Sequence, residues 1–183
     1  GIDNDESMLA AASVSSELQR LPIQLIHQDA ISNLDIPQVD LAVADLPIGY
    51  YPLDDNVKNY QTKAASGHSY VHHLLIEQTM NYLVPGGFAF FVVPSDLFKT
   101  KESENFVKWI HSVAFLQGFI NLPTDMFRNA KAQKSILILQ NHGSGARQAK
   151  QVLLGTFPSI KDQRAFRSFM TEVNQWVKAS LNR

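Results

Sequence analysis

The sequence predicts an α/β protein built on a doubly wound, mostly parallel sheet. Short apolar runs with β-branched residues alternate along the chain with segments whose apolar residues have helical spacing. Aspartates stand directly after several of these runs, which is where parallel sheets place their ligand sites. With 183 residues, 45% of them hydrophobic, the chain is long enough for a sizeable core.

The first half of the chain contains one predicted helix and two predicted strands. Apolar residues repeat at helical spacing between Met8 and Leu18, and Pro22 should close that helix. Residues 23–27 and 39–44 are apolar runs typical of buried strands. Parallel strands here would bring the aspartates that follow them to one edge of the sheet.

The second half continues the alternation. We expect helices with apolar faces within residues 71–83, 106–113 and 166–181, and strands at residues 88–93, 115–122, 135–139 and 151–157. The first of these helices should stop at Pro85-Gly86-Gly87, where glycine supplies a left-handed cap. Residues 47–69 lack periodicity and predict a long loop, a feature that often binds ligands.

Charge is segregated along the chain although the net charge is −1. Up to Thr124 there are 6 Lys and Arg against 14 Asp and Glu, and from Asp125 onward there are 10 against 3. A basic C-terminal third fits contact with a polyanion such as nucleic acid, and it equally fits a solvated surface.

Several classes of function are disfavoured. The chain has no cysteine, hence no disulfide, no thiolate nucleophile and no cysteine-based zinc site, and we expect a cytoplasmic protein. No apolar run is long enough to span a membrane, and residues 1–7 are too acidic for a secretion signal. His68, His72, His73 and Glu77 lack the His-Glu-X-X-His pattern, so we expect a solvated helix start and no metal.

Asp45-Leu46-Pro47 follows the strand at residues 39–44 and offers two hydrogen-bond acceptors. Because proline keeps the preceding residue out of the helical region, Leu46 should be extended with its carbonyl exposed. A carboxylate and a carbonyl at one strand end can hold an amino group and leave its lone pair facing a donor. Amine methylation needs that arrangement.

Asp45-Leu46-Pro47-Ile48 resembles the Asn/Asp-Pro-Pro-Tyr/Phe signature of N6-adenine DNA methyltransferases, which have the Rossmann-like class I S-adenosylmethionine-dependent fold. The resemblance extends to about residue 140. It matches residues 1–5 to the segment after the second strand, 28–30 to the end of the third, 83–94 to the turn and fifth strand, and 120–127 with 134–139 to an antiparallel strand pair. A subgroup of adenine-specific methylases from Gram-positive bacteria is similar.

The resemblance implies methyl transfer from S-adenosylmethionine to an exocyclic amine, adenine N6 in DNA. Asp45 and the Leu46 carbonyl would accept the two amino hydrogens, and Pro47 would hold that carbonyl in place.

The cofactor would be bound at the two earlier strand ends. Asp3 would meet its ribose hydroxyls and Asp29 its adenine, with Asn4 and Ala30 beside them.

Two departures from the family pattern matter. Ile48 stands where the family has the aromatic ring on which a flipped base stacks, so Tyr50 or Tyr51 would have to replace it. The family's opening strand and glycine-rich cofactor loop should precede Gly1, so we expect a fragment that lacks its first strand. A target-recognition region would lie upstream or in a partner.

We therefore expect residues 1–140 to form a partial methyltransferase catalytic domain. Residues 141–183 should add a C-terminal strand and a basic amphipathic helix packed on the same domain. Two alternatives stay open: a non-catalytic nucleic-acid-binding module on the same scaffold, and a methyltransferase acting on a protein or small-molecule amine.

Overall fold

Strands and helices alternate through residues 1–129 and 132–181, which the computed structural model describes. The strands are β1 (Ile2–Asp3), β2 (Ile26–His27), β3 (Val39–Asp45), β4 (Leu83–Pro94), β5 (Ala114–Asn121), β6 (Lys134–Asn141) and β7 (Leu153–Thr156). The helices are α1 (Glu6–Leu18), α2 (Val71–Asn81), α3 (Ser103–Val113) and α4 (Gln163–Trp176), the last followed by a π-helical turn (Val177–Leu181). The final two residues of the predicted C-terminal segment lie outside the described residues.

Five strands form one sheet in the order β3-β4-β6-β5-β7, and β1 and β2 form a separate parallel pair. β3 is parallel to β4, and β7 is parallel to β5. β6 is antiparallel to both of its neighbours, so the other four strands of the sheet all point the same way. The predicted α/β class, the mostly parallel sheet and the antiparallel late pair are confirmed.

The Pro-Gly-Gly segment does not end a helix, contrary to the sequence prediction. α2 stops at Asn81, and β4 already begins at Leu83. Val39 pairs with Leu83 whereas Leu41 pairs with Phe88, so β4 holds extra residues that bulge out of the ladder. Gly86 supplies the left-handed backbone (φ 84°) inside this bulge.

The core lies between the sheet and helices α2 and α3. β4 and β6 contribute fully buried Phe91, Leu137 and Leu139, and α3 contributes Phe106 and Trp109. The alternation of buried and partly buried residues along β4 follows from strand geometry, which sends successive side chains to opposite faces. Burial of this apolar surface holds the five-stranded sheet to its helices.

The segment predicted as a long loop is fastened to the protein at several points. It contains a short 3-10 helix (Asp54–Val57), and Val57 packs with Ile31 and Leu74 in a second apolar cluster. The Tyr60 hydroxyl donates to the Ile31 carbonyl at 2.7 Å. These contacts keep the segment beside the ends of β2 and β3.

His72, His73 and Glu77 are buried on α2, so the predicted solvated helix start is wrong for these three residues. The His73 ring stacks on Phe106 with 4.0 Å between centroids. Glu77 accepts hydrogen bonds from the Gln61 and Thr62 amides, at 3.0 and 2.7 Å. The helix therefore turns its polar side chains toward the core and the neighbouring loop.

Burial lowers the pKa of both imidazoles. The pKa of His72 falls to about 4, and that of His73 falls to about 3, with the neighbouring His72 adding to the effect of burial. Both histidines are therefore neutral in the folded protein near neutral pH.

No helix among the described residues has the length and apolar character that crossing a bilayer requires.

A first prediction concerns Gly143, which lies in the loop after β6. A Cβ there would come within 2.5 Å of the Pro85 Cβ and within 2.8 Å of the Gly86 nitrogen. We expect Gly143→Ala to lower the free energy of unfolding by about 1–3 kcal/mol, because the β4 bulge would have to move. Urea unfolding followed by circular dichroism measures the change.

The matched control is Gly155→Ala in β7, because a Cβ at Gly155 meets nothing within 4 Å. It should leave the free energy of unfolding nearly unchanged. An equal loss in the two variants would show that the close approach to Pro85 is not the cause.

A second prediction concerns acid. Each buried histidine takes up a proton on unfolding in the pH window between its folded-state pKa, about 4 for His72 and about 3 for His73, and its ordinary value of 6.5. Stability should therefore fall as pH drops from 6.5 toward 4, with each histidine adding a slope of up to about 1.4 kcal/mol per pH unit. Urea unfolding at a series of pH values measures the total slope.

His73→Phe keeps an aromatic ring against Phe106 and removes one titrating group, so its slope should be shallower by that amount. The matched comparison is His111→Gln, which also removes a histidine but from the exposed surface of α3, and the slope of His73→Phe should be the shallower of the two. If His73→Phe has the same slope as the parent, proton uptake by His73 does not contribute to the loss of stability in acid.

Candidate functional site

The carboxyl ends of β1, β2 and β3 open into one cleft with a volume of about 650 Å³. Asp3 ends β1, Asp29 follows β2, and Asp45 ends β3, and all three line this cleft. The other predicted site residues that line it are Asn4, Ala30, Leu46, Pro47 and Tyr51. Asp3 and Asp29 converge because β1 and β2 are a parallel pair, which presents its carboxyl ends at one edge. Asp45 lines the same cleft from the end of β3, in the five-stranded sheet.

Asp3 is oriented by the chain that follows it. Its Oδ1 accepts a hydrogen bond from the Asp5 amide at 2.9 Å. Asp5 in turn caps α1, accepting from the amides of Ser7 and Met8. The start of α1 thus fixes the Asp3 carboxylate at the rim of the cleft.

Asp29 is held from two sides. Its Oδ1 accepts from the Ile31 amide at 2.9 Å, and its Oδ2 accepts from the Tyr51 hydroxyl at 2.6 Å. Tyr51 is buried, and the Asn56 side chain donates to the same hydroxyl at 3.2 Å. Burial raises the pKa of Tyr51, and the Asp29 carboxylate raises it further, so the hydroxyl keeps its proton and remains a donor.

The segment after β3 is anchored by Leu46. Its side chain is buried in the core, and its amide donates to the Val92 carbonyl of β4 at 2.9 Å. The preceding Asp45 side chain is 68% exposed in the cleft. The sheet therefore holds the backbone while the carboxylate faces outward.

One side chain joins the two acceptors of this segment. The Lys134 ammonium donates to Asp45 Oδ1 and to the Leu46 carbonyl, the latter at 3.3 Å. A single nitrogen can therefore reach both acceptors at once, as the sequence argument required. Lys134 also lines the cleft, with a side chain only 20% exposed.

Sequence reasoning missed Lys134. It lies 89 residues after Asp45, and only the sheet order, with β4 between β3 and β6, brings the two together. Nothing in the sequence around Lys134, the first residue of a strand, indicates that its side chain contacts Asp45 and Leu46.

Ile48 and Tyr50, both predicted to bind substrate, are not among the described residues that line the cleft. Both are more than half exposed. The Tyr50 ring stacks on Tyr70 with 4.8 Å between centroids, and its hydroxyl donates to the Tyr70 hydroxyl at 3.3 Å. An exposed ring thus lies just beyond the segment that carries the two acceptors.

The walls of the cleft are largely apolar. Met8, Ile31, Leu34, Val43 and Leu75 are among them. Such walls with a few polar groups at one edge are typical of sites for small organic molecules.

Comparisons with known proteins identify the family and the fold. A model of the family described as N-6 DNA Methylase matches residues 20–174. The uncharacterized protein YtxK of Bacillus subtilis is 35% identical over 178 residues, which are 97% of this chain and 54% of that protein. A solved structure from Listeria monocytogenes, provisionally assigned to the class I S-adenosylmethionine-dependent methyltransferases, is 38% identical with a TM-score of 0.87, covering 96% of this chain and 54% of its own.

A methyltransferase subunit of a type I restriction-modification system from Streptococcus thermophilus is also similar. It has a TM-score of 0.73 at 14% identity, covering 96% of this chain and 42% of that one, and at that identity it shows the fold alone. This chain spans about half the length of the YtxK and Listeria proteins.

The family match covers most of the chain, and the matches to the YtxK and Listeria proteins, at 35% and 38% identity, cover nearly all of it. The fold is that of the class I methyltransferases, and the family and the fold fit S-adenosylmethionine as cofactor. The chain belongs to the N-6 DNA methylase family.

Proposed function

We propose that this chain carries the cofactor edge and the acceptor site of a methyltransferase that acts on the N6 amino group of adenine in DNA. One observation carries the proposal. The Asp45 carboxylate and the Leu46 carbonyl converge on a single nitrogen, in the same cleft as the Asp3 and Asp29 carboxylates.

The cleft fits the cofactor's chemistry. Apolar walls suit an adenine ring, and fixed carboxylates at two strand ends suit ribose hydroxyls and ring amino groups, which are hydrogen-bond donors. Asp3 would take the ribose and Asp29 the adenine, with Asn4 and Ala30 lining the wall between them. When bound, S-adenosylmethionine supplies a methyl group activated by a sulfonium.

The acceptor amine would be held by two hydrogen bonds. One N–H would donate to Asp45 and the other to the Leu46 carbonyl, while Pro47 restricts the backbone that presents this carbonyl. Both hydrogens then point away from the donor, and the nitrogen lone pair is left to attack. Positioning and charge complementarity are the main contributions of such a site, which has no need of a strong base.

The flipped base needs an apolar surface as well as hydrogen bonds. Tyr50 presents an exposed ring supported from behind by Tyr70, and Ile48 offers an exposed aliphatic side chain beside it. Stacking of a base on an aromatic ring is worth about 1–3 kcal/mol. We assign this role to Tyr50, since Tyr51 is already committed to Asp29.

DNA contact would extend beyond the cleft. α4 carries exposed Arg164 and Arg167, and positive side chains on one helix suit phosphate contacts. Reading of a target sequence needs contacts to base edges, which we assign to a separate region upstream or to a partner.

The central test is Asp45→Ala in the full-length protein, with methyl-labelled S-adenosylmethionine and unmethylated DNA. Removing one of two acceptors should lower label transfer by about 10²–10³-fold, because the amine loses a hydrogen bond that orients it. Cofactor affinity, measured by calorimetry, should stay near that of the parent.

Asp55→Ala is the matched control, because Asp55 is an exposed carboxylate paired with Lys58 outside the cleft. It should transfer label like the parent. Full activity in Asp45→Ala would exclude the proposed acceptor site. Methyl transfer that does not depend on DNA would indicate that the acceptor is a protein or small-molecule amine.

A second test addresses Asp29, one of the two carboxylates proposed to bind the cofactor. Tyr51→Phe removes the hydroxyl that donates to Asp29 and leaves the buried ring. We expect cofactor affinity to fall about tenfold, since a hydrogen bond to a charged group is lost and Asp29 is then held only by the Ile31 amide.

Tyr50→Phe is the matched control, because it also removes a tyrosine hydroxyl but from a residue outside the cleft lining. Its cofactor affinity should equal that of the parent. Equal affinities in both variants would show that Tyr51 does not orient the cofactor site.

A further inference from the structure

The contact made by Lys134 matches the contact that the proposed function assigns to the acceptor amine. The ammonium donates to Asp45 Oδ1 and to the Leu46 carbonyl from within the cleft. Lys134 begins β6, and its side chain passes the end of β4, where its backbone pairs with Pro94. The inference drawn from this contact rests on the proposed function.

An acceptor amine that enters the cleft must compete with this ammonium. Both would donate hydrogen bonds to the same carboxylate oxygen and the same carbonyl oxygen. The contact is also an ion pair, and a neutral amine brings no positive charge to replace that of Lys134. An amine that takes over these two hydrogen bonds therefore displaces the Lys134 ammonium from Asp45 Oδ1.

A displaced ammonium needs a new anion. The Lys134 side chain is only 20% exposed, so solvent compensates little of its charge once the pair opens. A nucleic acid supplies that compensation, because phosphates flank every base. A free nucleoside supplies none, and an aliphatic ammonium would add a second positive charge beside the first.

We propose that Lys134 is a specificity-determining residue that couples entry of the acceptor amine to the presence of a neighbouring phosphate. It pairs with Asp45 until a polyanion offers it a phosphate oxygen. The acceptor pair is then released to the amino group of the base. Amines that arrive without a phosphate meet an occupied site.

The test compares an adenine-containing oligonucleotide with adenosine as methyl acceptors, using the full-length protein and methyl-labelled S-adenosylmethionine. The parent should strongly prefer the oligonucleotide. Lys134→Met should raise kcat/KM for adenosine about five- to tenfold, through a lower KM, because the competing charge is gone. Lys134→Gln serves as a second neutral variant, and circular dichroism checks that each variant folds.

Two controls flank these variants. Lys134→Arg keeps the positive charge and should keep the parent's preference. Lys108→Met removes a lysine of a comparable ion pair, with Glu104 on the surface of α3, and should change neither substrate.

Three results would overturn the proposal. In the first, the preference for the oligonucleotide over adenosine narrows only because the oligonucleotide becomes a poorer substrate, and Lys134 is then a plain phosphate contact. Both neutral variants could lose transfer to both substrates, which would make Lys134 a support for Asp45. Adenosine kinetics could also stay unchanged in both.

Failure of the proposed function has a different signature. In that case the parent protein binds the cofactor and labels neither substrate, and the inference falls with the function on which it rests. A parent that labels the oligonucleotide while its Lys134 variants keep the same preference overturns the inference alone.

Discussion

The hydrogen bond from the Leu46 amide to the Val92 carbonyl is the point at which the sheet ends and the site begins. It continues the parallel pairing of β3 with β4 by one residue, while the buried Leu46 side chain ties the same residue to the core. Asp45 before it and Pro47 after it are thereby placed with little freedom. The geometry of the two acceptors is thus a property of the core, and chemistry that depends on positioning can rely on it.

Two of the aspartates in the cleft, Asp29 and Asp45, differ in how firmly their side chains are held. Asp29 has both oxygens bonded, one of them to a buried tyrosine, whereas Asp45 contacts a lysine and stands mostly exposed. A rigid group suits recognition of a cofactor whose shape does not vary. An exposed group with a replaceable partner suits an acceptor that must enter and leave.

The sequence predicted much of this arrangement because the relevant signals are local. Strand ends followed by aspartate are visible in the chain, and the parallel pairing of β1 with β2 brings Asp3 and Asp29 together. Asp45 reaches the same cleft from the end of β3, in the other sheet. Contacts set by tertiary packing were invisible. The bond between Tyr51 and Asp29, the burial of His72 and His73, and the reach of Lys134 all depend on which elements become neighbours. The prediction of a helix end at the Pro-Gly-Gly segment was wrong because glycine with positive φ occurs in strand bulges as well as at helix ends.

The close approach of Gly143 to Pro85 and Gly86 bears on the position of Lys134, which lies at the opposite end of β6. The chain that leaves β6 packs directly on the β4 bulge, and this contact adds to the ladder pairing that holds β6 in register with β4 and β5. A slip by one residue would shift Lys134 by about 3.3 Å and turn its side chain to the opposite face of the sheet. The close packing at Gly143 thus favours the register that places the Lys134 side chain in the cleft, although Gly143 itself lies at the other end of the strand.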